Sequence, residues 1–266
     1  MHGGALSPRA PRVTRGAGRA VFSPQEHARG MAGHSAWKNI KHRKAAVDKK
    51  RGKVWSKISR QLIVAAQKGG GDPAFNPSLR FAVDAARAAN MPRDTIEKAI
   101  KKGTGEGSEE RYEHARYEGY APGGVALIIE CLIANANKAA ADLRVILDKN
   151  GGKIGVPGSV AFGFSQKGQV IVEGATEERL MNCCLDAGAE DIQGEGDVFQ
   201  VLCAPSDLMA VRSAIESAGM AVDSAEIVWV PMQTVQVDEA TLASVEKLVD
   251  LIEDQDDVQK VYTNLA

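Results

Sequence analysis

Cysteines are few in this sequence, long apolar runs are missing, and one basic stretch is almost without acids. The four cysteines, Cys131, Cys183, Cys184 and Cys203, make no CxxC pair, and no secretory signal precedes them. That argues against a disulfide framework or a thiolate metal knuckle, and for free thiols in a reducing compartment. Three of the four fall inside apolar runs, where burial is expected. No run of about 18 apolar residues occurs, which excludes a helix that spans a bilayer. The scarcity of acids is local. Between Lys38 and Arg60 there is one, Asp48, against ten Lys or Arg.

The whole chain of 266 residues has a net charge of only −1, and the even total hides a division. Residues 1–30 hold five Arg and one Glu. Residues 31–103 hold 17 Lys or Arg against 5 Asp or Glu, a net of +12. Residues 104–266 hold 11 against 28, a net of −17. Such asymmetry predicts a basic binding end joined to an acidic body. Nucleic acid would repel the body and so turn the basic end towards itself.

The densest part of the basic end is Met31 to Arg60, MAGHSAWKNIKHRKAAVDKKRGKVWSKISR. Dense positive charge with few apolar residues is what a polyanion-binding surface needs. The candidate nucleic-acid contacts are Lys38, Lys41, His42, Arg43, Lys44, Lys49, Lys50, Arg51, Lys53, Lys57 and Arg60. The competing reading is a solvated helix face that only keeps the protein soluble. His34 and His42 have no third ligand near them in sequence, so a metal site is not indicated. Trp55 lies on an apolar face and is expected in a core, whereas Trp37 is more open and could stack on a base.

Residues 1–30 are rich in Gly, Pro, Ala and Arg, with almost no apolar period. They are expected to be disordered. Two explanations stand: an organelle transit segment, or a start assigned too early, with Met31 the true one.

Helix signals follow. Trp55, Ile58, Leu62 and Ala65 share one helix face, and Gly69-Gly70-Gly71 ends that helix. Asn76-Pro77 reads as a cap with proline at the first helical position, opening a helix to about Ala89. Pro92 opens a third helix, closed by Gly103. Upstream, Ile40, Val47 and Val54 recur every seven residues, too thin a stripe to bury much. A helix-turn-helix reader is one fold-level option, but no recognition helix with base-reading side chains stands out.

Beyond a Glu-rich stretch at 104–118, read as a linker, strand and helix signals alternate. Strands are expected at 125–133, 159–164, 169–172, around Ile192, and at 198–203, 225–230, 234–237 and 258–262. Helices are expected at 136–148, 176–187, 206–217 and 238–253. The order from 169 to 230 is β-α-β-β-α-β, the ferredoxin-like pattern. The flanking elements make two further halves that would each expose an apolar sheet face unless paired. The prediction is therefore an α+β chain of three domains. A basic helical domain spans 31–107. A discontinuous α/β domain is built from 112–165 plus 232–266. A ferredoxin-like domain at 166–231 is inserted into it. Consecutive, independent domains are the rival layout.

Chemistry is sparse. The acid clusters Glu177-Glu178, Glu190-Asp191 and Asp254/Asp256/Asp257 lie at helix starts and turns, where solvated acids are usual. The glycines of Tyr120-Ala121-Pro122-Gly123-Gly124 precede a strand, not the helix N-terminus a phosphate cradle needs. They read as a tight turn. No catalytic residue, metal site, cofactor or small-molecule ligand is indicated.

The motifs MAGHSAWKNIKHRK at 31–44, KVWSKISR at 53–60 and GGGDPAFNPSLRFAV at 69–83 resemble the YebC family. NMPRDTIEKAIKKGTGE at 90–106, YEGYAPGGVALIIE at 117–130 and GSVAFGF at 158–164 extend the match. Members are commonly described as probable transcriptional regulators. The resemblance implies a three-domain cytoplasmic protein with a helical N-terminal domain and two α/β domains. It also reaches a mitochondrial translational activator of cytochrome c oxidase subunit I, and some members are linked to ribosomes. Two functions are thus expected of one basic surface. The first is a DNA-binding transcriptional regulator; the second is a ribosome- or RNA-associated translation factor.

Overall fold

The computed structural model describes residues 51–105 and 111–266, together with Met1. Three helices come first: α1 (Arg51–Gly69), α2 (Pro77–Ala88) and α3 (Arg93–Gly103). Ile58, Leu62 and Ala65 of α1 are buried as their spacing predicts, against Leu79, Ala82, Val83 and Ala86 of α2 and Ile96 and Ala99 of α3. Trp55 packs on this cluster and its indole N–H donates to the Ala89 carbonyl at 3.0 Å. Gly70, with φ +83°, takes the left-handed turn that ends α1.

Asn76 joins two of these helices. Its carboxamide oxygen accepts from the Leu79 N–H, capping α2. Its Nδ2 donates to the carbonyls of Ala65 (2.7 Å) and Gly70 (2.9 Å) at the end of α1. At the other end of the bundle, Gly103 lets α3 touch α1. A Cβ there would lie 2.5 Å from the Ile63 carbonyl oxygen and 2.6 Å from the Ala66 Cβ.

A four-stranded antiparallel sheet follows. Its strands are β1 (Glu113–Tyr120), β2 (Ala126–Ile133), β3 (Lys153–Ile154) and, at the far end of the chain, β8 (Val258–Thr263). The order across the sheet is β3-β1-β2-β8. Helices α4 (Ala136–Lys149) and α7 (Glu239–Glu253) cover one face. Leu127 and Ile129 of β2 meet Leu143 and Leu147 of α4 and Leu248 and Ile252 of α7 there. The other face of β2, through Ala126 and Ile128, packs with Val160, Phe164, Trp229 and Tyr262. Burial on both faces is why β2 reads as an unbroken apolar run.

The second sheet lies between β3 and β8 in the chain. It comprises β4 (Phe164–Glu173), α5 (Glu177–Cys184), β5 (Ala189–Glu195), β6 (Val198–Cys203), α6 (Leu208–Ser217) and β7 (Val222–Pro231). Its strand order, β5-β6-β4-β7, is the ferredoxin-like one, and every pairing is antiparallel. The chain is thus an α+β protein with an N-terminal helical part and two antiparallel sheets.

Three local expectations are corrected. The stretch read as a linker contains β1 at 113–120, a full-length partner of β2. Residues 159–163 are not a strand but a loop with a 3₁₀ turn at Ala161–Gly163, and Phe164, the expected end of that strand, instead begins β4. Residues 234–237 contribute one bridge, Val235 to Leu265, instead of a strand. The first sheet therefore starts with a β1–β2 hairpin rather than a β-α-β unit. The Tyr120–Gly124 segment is the hairpin's turn. The stretch that carries Ile40 and Val47 lies outside the described residues, and Val54 falls within α1.

Candidate nucleic-acid interface

Seven of the eleven candidate contacts, Lys38, Lys41, His42, Arg43, Lys44, Lys49 and Lys50, lie outside the described residues. Arg51 opens α1. Lys53, Lys57 and Arg60 follow at intervals of four and three, and Gln61 comes next, so the four share one face of α1. That face is turned away from the helical core and towards the acidic body.

Arg60 carries the main contact. Its guanidinium lies 2.7 Å from the Asp257 carboxylate, with side-chain exposures of 15% and 27%. The same guanidinium stands over the Tyr112 ring, 5.4 Å from its centroid. Lys53 pairs with the Asp254 carboxylate at 3.2 Å and also donates to the Asp254 carbonyl. Gln61 donates from Nε2 to Oε1 of Gln259 on β8. The C-terminal end of the basic stretch is thus fastened to the turn that leads from α7 into β8. Arg60 is held in that contact, with 15% of its side chain exposed. Lys53, with a 47% exposed side chain, still faces solvent.

Beside this contact is a cavity of about 140 Å³, lined by Arg60, Cys131, Lys138, Asp142, Gln255 and Asp257. Lys138 and Asp142 pair across one turn of α4 at 3.0 Å. Burial pushes the Cys131 thiol up to about 12, and Asp257 adds to the shift, while Lys57 and Arg60 only partly oppose it. The thiol stays protonated at neutral pH and is no nucleophile. Cys184 is likewise pushed up to about 12, by burial first and then by Cys183. All four cysteines are free, and Cys131, Cys184 and Cys203 are buried. Among the described residues, no group of three or more His, Cys, Asp or Glu side chains is set to hold a metal ion.

A second polar cluster joins the two sheets. Glu130 on β2 accepts from the Trp229 indole N–H at 2.9 Å and from the Tyr262 hydroxyl at 3.3 Å. Arg116 on β1 stands over the Trp229 ring, 5.1 Å from its centroid. Burial and the Glu130 charge raise the pKa of the Tyr262 hydroxyl, so it remains a donor.

Asp254 and Asp257 were the residues that sequence reasoning placed wrongly. They look like solvated acids in a turn, yet they hold the basic helix. The available signal was global: an acid cluster before the last strand of a −17 body is the natural partner for a +12 domain. Local pattern carries no trace of that pairing, because the partners are about 200 residues apart in the chain.

Comparison with known proteins agrees with this architecture. The profile described as "TACO1/YebC protein N-terminal domain" matches residues 35–106, and that described as "TACO1/YebC second and third domain" matches 112–265. A probable transcriptional regulatory protein of Rubrobacter xylanophilus is 51% identical over 237 residues, covering 88% of this chain and 95% of that protein. One from Pasteurella multocida, with the same description, is 48% identical over 235 residues, covering 88% and 96%. The crystal structure of the conserved hypothetical protein Aq1575 from Aquifex aeolicus superposes with a TM-score of 0.80 at 42% identity. It covers 87% of this chain and 97% of its own. The chain belongs to the TACO1/YebC family.

Proposed function

We propose that this protein regulates gene expression by binding nucleic acid through the basic stretch 38–60, with duplex DNA as the partner of a transcriptional regulator. The observation that supports this is the division of charge: +12 over residues 31–103 against −17 over residues 104–266. Phosphate neutralisation supplies most of the affinity of such a surface. On charge and spacing the reading gives phosphate contact to Lys38, Lys41, His42, Arg43, Lys44, Lys49, Lys50 and Arg51. Lys53 sits at the border, and Arg60 anchors α1 to the body. The probable regulatory role that relatives carry in their descriptions is consistent with this reading.

A second reading uses the same surface on a ribosome. It is favoured by the acidic body, which suits docking by one end on a large RNA particle. Among the described residues no paired heptad segment supplies a two-fold DNA reader either.

Co-sedimentation with ribosomes and retardation of promoter DNA separate the readings. The wild type is run beside a variant in which Lys41, Arg43, Lys44, Lys49, Lys50 and Arg51 are changed to Glu. Retardation of DNA by the wild type alone, with neither protein sedimenting, supports the DNA reading. Sedimentation by the wild type alone supports the ribosome reading. Equal behaviour of the two proteins in both assays contradicts the assignment of the surface.

A further inference from the structure

The motif GSVAFGF at 158–164 plays no part in the basic stretch, yet a buried carboxylate holds its loop. Glu118 on β1 is buried, 3% exposed, and its carboxylate points into the loop. It accepts from the N–H groups of Gly158 (2.9 Å), Val160 (2.8 Å) and Ala161 (3.0 Å). The Tyr120 hydroxyl donates to the Ser159 carbonyl at 2.9 Å. Val160 and Phe164 are buried as anchors between the sheets. A buried carboxylate is costly unless its hydrogen bonds are made, and here the loop's own backbone makes them.

What this rigid loop shows to solvent is apolar. Phe162 is 77% exposed and Val156 72%. Met232, 62% exposed, stands beside them, its N–H donating to the Gly163 carbonyl. The surroundings are unusual for the body. Two stretches, 149–172 and 227–237, contain no Asp or Glu at all, and they meet at the Gly163–Met232 hydrogen bond. The first carries Lys149, Lys153 and Lys167. Lys149 and Lys153 are exposed, and Lys167 pairs with Glu190.

We propose that Phe162 is a stacking platform for an unpaired nucleobase, with Lys149 and Lys153 serving the adjoining phosphates. An exposed aromatic on a fixed loop loses little entropy on stacking, and every base offers a π-face. These two stretches bring no acid of their own, and the Glu118 carboxylate beneath the loop is turned inward onto its backbone N–H groups, so the outer surface is open to a polyanion. This site is separate from the 38–60 stretch and gives the protein a contact for single strands, loops or splayed bases.

The test is photo-crosslinking of the full chain to short oligomers carrying 4-thiouridine or 4-thiothymidine, with the adduct mapped by trypsin. The wild type is expected to crosslink within the peptide 154–167, and the stronger of the ribose and deoxyribose arms identifies the strand chemistry. Phe162→Ala should lose that adduct and weaken oligomer binding by about five- to tenfold. Phe162→Tyr should keep both, and Phe162→Leu neither. Binding with no adduct in 154–167 overturns the proposal, as does a Phe162→Leu variant that behaves as wild type. Flotation of the wild type with phosphatidylserine vesicles, abolished in Phe162→Ala and unaccompanied by an adduct, overturns it too and assigns the tip to a membrane surface. Because the adduct is read at one peptide, its loss is distinct from any failure of the basic stretch.

Discussion

Single side chains hold the parts of this protein in register. Arg60 and Asp257 are mostly buried and oppositely charged, so each is costly to leave alone. In a double-mutant cycle, Arg60→Ala and Asp257→Ala are expected to show a coupling of about 1–2 kcal/mol by urea denaturation. Additive effects would mean that the contact is incidental. Lys53 and Asp254 are more exposed, and their coupling should fall under about 1 kcal/mol. Glu118 makes a pH prediction. Burial pulls its carboxyl pKa upward, but the N–H groups of Val160, Gly158 and Ala161, with Arg116, outweigh that and hold it below the ordinary 4.5. Its contribution is therefore complete above pH 4.5 and is lost as pH falls through the lower, folded-state value. Glu118→Gln, which turns an amide towards the loop's own donors, should cost about 2 kcal/mol at pH 7. The difference from wild type should shrink below pH 4.5. A gap that stays constant down to pH 3 would contradict this role for the charge.

At the scale of elements, packing explains both what could be read in advance and what could not. The helices were legible because their signals are local: the Gly70 turn, the Asn76 cap, the apolar spacing of α1. Gly103 was read only as a stop. Its second role, close approach of α3 to α1, needs the fold to be seen. Gly103→Ala should destabilise the helical part by about 1–3 kcal/mol, since backbone and not a flexible side chain meets the new Cβ. Asn76→Ala removes the α2 cap and leaves two carbonyls at the end of α1 short of a donor, at a cost of about 2–3 kcal/mol. Thermal unfolding of both variants checks these values, and an unchanged Tm in either would refute its assignment. Strand β1 escaped notice because EHARYEGY is polar. Its exposed positions are Glu113, His114, Arg116 and Tyr120, and only Glu118 and Gly119 are buried. Partial desolvation first, and then the Lys68 charge of α1, lower the pKa of His114, although its surface still reaches solvent. The opposite error at 159–164 has a related cause. Val160, Phe162 and Phe164 alternate as a strand would, but Phe162 is in solvent and the backbone N–H groups bond to Glu118. Sequence shows the period and not the carboxylate that pre-empts it.

Across the whole molecule, charge is the organising quantity. The insertion of one α/β unit into another followed from the order of elements. So did the division into a basic and an acidic part. Their contact did not, since Arg60–Asp257 and Gln61–Gln259 link α1 to the far end of the chain. The arrangement fixes the end of the basic stretch on the acidic body, and residues 38–51 precede that anchor. The measurement that bears most directly on this account is the salt dependence of binding to duplex DNA. With about six phosphates neutralised, log affinity should fall against log salt with a slope near −5 for the wild type. The variant with Lys41, Arg43, Lys44, Lys49, Lys50 and Arg51 changed to Glu should lose binding while keeping its Tm. A variant that binds as the wild type does, with the same slope, would contradict the assignment of nucleic-acid contact to this stretch.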